Sequence, residues 1–117
     1  MTFEPRKRLH QPAEFRVVRQ QGRRFADAYF VLSVLANRQN HARLGLAIAT
    51  RSCGGAVARN LIKRVARESF RLNQHSLPAV DITVAAREAA RLAPRRDLRI
   101  SLAGHWQRIA REYGSAA

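Results

Sequence analysis

The sequence has one cysteine, one tryptophan, two lysines and only eight acidic residues in 117 positions. The lone Cys53 excludes an internal disulfide and a multi-thiolate zinc site, which fits a reducing compartment. Long apolar runs are missing too. The longest, YFVLSVLA at 29–36, is far shorter than the roughly 20 residues that span a bilayer. The opening MTFEPRKRLH is basic and broken by Pro5, so no secretory leader is expected. The acids are scattered, and none occurs between Asp27 and Glu68. His10, His41, His75 and His105 lie far apart, without the H-x-x-x-H spacing of a helical zinc site.

Cations fill the space the acids leave. Twenty-two Lys and Arg give a net charge of +14 and a pI near 11.8. That balance points to a polyanion, nucleic acid before an anionic membrane. Arg38, Arg43, Arg51, Arg59, Lys63, Arg64 and Arg67 all fall in the acid-free interval. Arginine offers a planar fork for phosphate oxygens, although a GC-rich genome would also favour its codons. The chain still carries 46% hydrophobic residues, which places it among globular proteins of about one domain's length.

Pro12 and Glu14 suit the first turn of a helix that stops at Gly22, so the first helix is expected over 12–21. Phe25–Ala36 and Arg43–Ala49 read as neighbouring strands of a hairpin around the polar turn NRQNH. Thr50 and Ser52 are candidate caps for a helix that follows Gly54-Gly55 and runs to about Asn73. In VDITVAAR, Val80, Ile82 and Val84 alternate with Asp81 and Thr83, which predicts a strand with one wet side. Asp97 is the expected N-cap of a last helix whose Leu98, Leu102, Trp106, Ile109 and Tyr113 form one buried stripe. His105 is expected to be exposed. This order of elements argues for a compact α/β sandwich.

GGAVARNLIKRVARESFR (54–71) concentrates the question of function. On a helix, Val57, Leu61, Val65 and their neighbours Ala58, Ile62, Ala66 and Phe70 form a broad apolar stripe. Arg59, Lys63, Arg67 and Arg71 recur every fourth position on the other side, with Arg64 beside them. Only Glu68 offers an intrahelical partner. Like charges one turn apart repel, and solvated helix faces usually intersperse both signs. Contact with nucleic acid is therefore preferred to a plain solvated face. Charge does not separate DNA from RNA.

RLGLAIATRSCGGAVARNLIKRVARESFR (43–71) resembles the signature of the bacterial ribonuclease P protein subunit. The specific part is the Arg-Asn pair followed by Lys-Arg and Arg-Glu after Gly-x-Ala-Val. The likeness extends to RLHQPAEFRVVRQQG (8–22), YFVLSVLAN (29–37) and LPAVDITVAARE (77–88). The resemblance implies a cytoplasmic ribonucleoprotein that removes the 5′ leader from precursor tRNA. Its catalytic centre and Mg²⁺ would belong to an RNA subunit, and no membrane or protein partner is implied. It also implies an α+β, two-layer sandwich, with about four strands and three helices in a single RNA-binding domain, 1–117. Its β-α-β crossover would be left-handed, whereas pattern alone gives a right-handed one.

Carried over by position, Arg59, Asn60, Lys63, Arg64 and Arg67 belong to the signature helix, with Arg71 one turn on, and Arg51 to the basic loop before it. These are the expected RNA contacts. Phe15 matches an aromatic lining a cleft for the single-stranded leader, where any base can stack; simple core packing is its alternative. Arg19 stands in the same cleft where an aromatic is common. Leu61, Ser33 and Ser52 also depart from the family's pattern, which shifts leader recognition from stacking toward charge. Cys53 reads as a small buried or bystander residue, and Gly54-Gly55 as a tight turn or a backbone approach to phosphate. A ribosomal or RNA-chaperone role and a metal-independent nuclease are the rival readings.

Overall fold

The computed structural model describes residues 8–9 and 11–114. Its centre is a four-stranded mixed sheet, β1 (Arg23–Ala26), β2 (Phe30–Ala36), β3 (Arg43–Ala47) and β4 (Val80–Ala86), in the order β1-β2-β4-β3. The first two pairings are antiparallel and β3 runs parallel to β4. The helices are α1 (Pro12–Gln21), the single turn α2 (Thr50–Cys53), α3 (Ala56–Asn73) and α4 (Arg95–Gly114). Because β3 and β4 are parallel neighbours, the chain must cross over between them, and it does so through α3. No helix among the described residues is long and apolar enough to cross a membrane.

The alternation of the strands sorts side chains to two faces. Phe25, Phe30, Leu32, Val34, Leu44, Ile82 and Val84 point to one face. There they pack with Ile62, Val65, Ala66 and Phe70 of α3 and Leu98, Leu102, Trp106 and Ile109 of α4. Trp106 settles the helix pair: its ring meets Phe70 edge-on at 5.9 Å, and its Nε1 donates to Ser69 Oγ at 2.8 Å. The stripe expected on α4 is therefore the buried one. α1 lies over part of the opposite face, held by Val18, and residues 8–9 follow the outer edge of β3 through Leu9 N–H to Leu44 O at 3.0 Å.

Several local expectations are corrected. The apolar run 25–36 is split by Asp27, whose carboxylate accepts the N–H groups of Tyr29 and Phe30, both at 2.9 Å, and turns β1 into β2. β2 and β3 do not form a hairpin, because β4 lies between them. Asn37 holds the connecting loop to β4: its N–H donates to Ala79 O, and its Nδ2 to Asp81 Oδ1 at 2.7 Å. Nor are the polar side chains of β4 openly solvated: Asp81 is 8% and Thr83 3% exposed, on a strand flanked by β2 and β3 in the middle of the sheet with α1 over part of that face. Gly55 occupies the N-cap of α3 without a side-chain cap, while Ser52 Oγ donates back to Ala49 O. Asp97 sits inside the first turn of α4 rather than before it, its N–H donating to Pro94 O. Val57, at the overhanging start of α3, is 87% exposed.

Buried Asp81 is satisfied by a fork. Arg43 Nε and Nη2 donate to its two oxygens at 2.8 Å each, while Arg43 Nη1 reaches Glu14 Oε2 at 3.1 Å. Glu14 Oε1 in turn accepts the Gln11 N–H at the start of α1. Its acidic partners push the Arg43 pKa up: the Asp81 hydrogen bonds lead, and they outweigh the opposing effect of burial. Removing one member of a buried pair strands the other. Asp81→Ala should therefore lower unfolding free energy in urea by about 3 kcal/mol. Glu68→Ala, on the exposed side of α3, should change it by less than about 0.5 kcal/mol.

His105 is buried rather than exposed, with its Nε2 3.2 Å from Asp27 Oδ2. Burial would raise the Asp27 carboxyl. The Ser101 hydroxyl, the Phe30 and Tyr29 N–H groups and His105 outweigh it and hold the pKa below its ordinary value. A carboxyl lowered on folding stabilises above its unfolded pKa, near pH 4, and loses that contribution as pH falls through the folded value. Ser101→Ala should therefore move the midpoint of acid unfolding, followed by circular dichroism, to higher pH.

Candidate nucleic-acid interface

α3 meets two demands at once. Ile62, Val65, Ala66, Ser69 and Phe70 are buried, the i, i+3, i+4, i+7, i+8 spacing of one helix face. The outward positions carry the expected cations. Asn60 and Arg64 are exposed, and Arg59, Lys63, Arg67 and Arg71 are half-buried along their stems. Among the described residues, Arg59, Lys63, Arg64 and Arg67 have no ion-pair partner. The Nε of Arg59 is shielded from solvent without a hydrogen-bond partner, so Arg59 is not the freely exposed residue its spacing implies. The backbone of Arg51 lies in α2; its side chain falls outside the described residues.

Leu61, the position where the signature loses a cation, is half-buried against the core. An aliphatic side chain therefore closes the underside of α3 there. Arg43 is also removed from the set of free cations. Although it lies in the acid-free interval of the sequence, Asp81 and Glu14 neutralise it from distant positions.

On the other side of the sheet, α1 stands off the strands and leaves a cleft of about 800 Å³. One wall is Pro12, Phe15, Arg16 and Arg19, which share a face of α1. The floor is Val31 and Ser33 of β2, Thr83 and Ala85 of β4, and Leu46 and Ala47 at the end of β3. Arg24 of β1 stands at the far rim. The cleft thus combines three exposed guanidinium groups, one aromatic ring and a floor of small apolar and hydroxyl side chains.

Phe15 lies in this wall and outside the main core. Its ring lies so close to β3 that a Cβ on Gly45 would come within 2.7 Å of Cε1 and Cζ. Gly45 is therefore a contact surface for the ring. Arg19 and Ser33, both departures from the family's pattern, line the same cleft as wall and floor.

The cleft does not end at α1. A second hollow of about 570 Å³ shares Arg19, Leu46, Ala47 and Ala85 with it, and is closed by Ile48, Ala49, Ser52 and Lys63. A smaller one places Arg67 beside Phe15, Gly45 and Arg8 across the β3 edge. Two surfaces that the sequence treats separately, the cationic helix and the cleft, therefore meet around β3. Lys63 and Arg67 face the junction. Sequence reasoning missed Arg16, Arg24 and Gly45. The i, i+4, i+7 spacing of Pro12, Arg16 and Arg19 was the available signal for the first, and nothing local marked the others.

The chain and the shape match known proteins over most of their length. A family model described as Ribonuclease P covers residues 3–110. The ribonuclease P protein components of Aliivibrio fischeri and Aliivibrio salmonicida are each 38% identical over 109 residues, 93% of this chain and 93% of the relative. The RNase P protein of Staphylococcus aureus superposes with a TM-score of 0.81 at 33% identity, covering 89% of this chain and 94% of that one. The RNase P protein of Thermotoga maritima gives 0.79 at 30% identity, with coverages of 87% and 96%.

A branched side chain at Gly45 must displace the Phe15 ring. Gly45→Val should weaken binding of a fluorescent single-stranded RNA about tenfold, the order expected for loss of one stacked aromatic. The Asp81–Arg43 pair keeps the sheet intact, so far-ultraviolet circular dichroism should be unchanged.

Proposed function

This chain belongs to the ribonuclease P protein family, the protein component of a ribonuclease that works with an RNA partner, and we propose that it presents precursor tRNA to a catalytic RNA subunit by holding the unpaired 5′ leader. The observation that carries this reading is the groove between α1 and the sheet, which opens onto the unpaired cations of α3.

Each part of the groove has a task suited to its chemistry. Arg16, Arg19 and Arg24 on the rim meet phosphates, and the Phe15 ring offers a stacking face that accepts any base. Ser33 and Thr83 supply hydroxyls to the floor, between Val31, Leu46 and Ala85. Such a lining follows a backbone rather than reading a sequence. Arg59, Asn60, Arg64, Arg67 and Arg71 of α3, together with Arg51, bind the RNA subunit, whose negative charge relieves the repulsion along α3. Lys63 stands where the leader and the RNA subunit come together.

We assign bond cleavage, and the Mg²⁺ it uses, to the RNA subunit. Four of the protein's eight carboxylates have structural work: Asp81 and Glu14 hold Arg43, Asp27 caps the β1–β2 turn, and Glu112 pairs with Arg23 at 3.0 Å. The whole chain then acts as one RNA-binding domain in the cytoplasm.

Reconstitution tests this directly. Added to its cognate RNA subunit at low Mg²⁺, the protein should restore removal of the leader, and protein alone should leave precursor tRNA intact. Unchanged cleavage on addition of protein refutes the reading. Arg64→Ala, an exposed substitution, should reduce RNA-subunit affinity while leaving the melting temperature within a few degrees. The half-buried Arg59 and Arg67 would confuse packing with binding.

A further inference from the structure

A second group of cations lies outside both surfaces described so far. Arg91 ends the helical turn Glu88–Arg91, and Arg95, Arg96 and Arg99 crowd the first two turns of α4. All four are exposed, and none has an ion-pair partner among the described residues. Between Arg87 and Arg111 the only acids are Glu88 and Asp97.

The placement works against the fold. The N-terminal end of a helix is electropositive, so cations there are unfavourable. Arg95 and Arg99 are one turn apart, as are Arg96 and Arg99, and repel each other as well. A GC-rich genome explains arginine in place of lysine; it does not explain three arginines at the wrong end of one helix. Two aliphatic side chains stand among them, Leu92 at 89% and Ile100 at 63% exposed. Cations interleaved with bare aliphatic groups fit a ligand that offers both anions and apolar faces.

The group is continuous with α3. The turn Glu88–Arg91 packs against α2 and α3. Arg91 lays its guanidinium over Gly54, where an added Cβ would lie 3.0 Å from Nε and 3.2 Å from Cζ. Gly54 itself has φ of 77°, the left-handed turn that leads into α3. An RNA resting on the start of α3 therefore meets Arg91 next and the α4 arginines beyond it. A membrane would require a broad apolar face, and two separated aliphatic side chains do not make one.

We propose that Arg95, Arg96 and Arg99, with Arg91 as the bridge, form a second docking surface for the phosphate backbone of the RNA subunit, with Leu92 and Ile100 against its sugars or unpaired bases. This rests on the ribonuclease P reading above, and it extends the protein's footprint from α3 to the amino end of α4.

The test compares the wild-type protein with Arg95→Ala/Arg96→Ala/Arg99→Ala in binding to the RNA subunit across a salt series, with thermal melts of both. The triple variant should bind about tenfold more weakly near physiological salt. Its log–log salt slope should be shallower by about 2–3, as for three lost phosphate contacts. Arg99→Ala alone should show a smaller loss on a minimally altered fold. Arg111→Ala, exposed at the far end of the same helix and removing the same charge, should bind as wild type. Wild-type affinity and slope in the triple variant overturn the proposal, as does equal weakening by Arg99→Ala and Arg111→Ala. So does co-sedimentation with phosphatidylglycerol vesicles that the triple variant loses while RNA affinity stays unchanged; this would assign the patch to a membrane. If the wild type restores leader cleavage and the triple variant keeps full RNA affinity, only this inference fails. If the wild type restores nothing, the ribonuclease P reading fails first.

Discussion

The Arg43–Asp81 fork fixes the geometry on which both the cleft and the cationic helix depend. It bonds β3 to β4 across their parallel pairing, and through Glu14 it pulls the amino end of α1 onto the same strands. In a protein with 22 cations and eight acids, placing two carboxylates around one arginine concentrates scarce negative charge where it has structural effect. The charge left over remains outside, on α1, α3 and α4. A fold stabilised this way can keep a strongly cationic exterior, because its few acids are not needed to neutralise it.

α3 and α4 support that exterior from beneath. Phe70, Trp106 and Ser69 lock the two helices together by ring contact and a buried hydrogen bond, so the cations above need not contribute to cohesion. Self-repulsion along the ridge costs stability, and the apolar underside offsets it. The same division explains why Leu61 faces inward although the family's pattern leads one to expect a cation there.

Much of this was legible in the sequence because it depends on local periodicity. α1 begins and ends where Pro12 and Gly22 place it, α3 spans the expected interval, and the α4 stripe is buried as spaced. Phe15 and Arg19 line the cleft. What could not be read depends on partners distant in the chain. The insertion of β4 between β2 and β3 is a tertiary choice that a polar turn between two apolar runs does not reveal. Arg43 counted as a free cation because its acids lie 29 and 38 residues away. Alternation marks Asp81 and Thr83 as wet because it records chemistry, and cover by α1 is invisible to it. His105 was misplaced for the same reason, since Asp27 reaches it from another element.

α1 is tethered at both ends. Glu14 ties its first turn to Arg43, and at its close Gly22 sits where a Cβ would come within 2.4 Å of Val18 O and 2.8 Å of Val34 O. A wall fastened twice resists swinging, so a ligand entering the cleft would have to do the adapting. Conformational entropy for shaping this groove is lost when the protein folds, long before any ligand arrives, and association would be left to order the ligand alone.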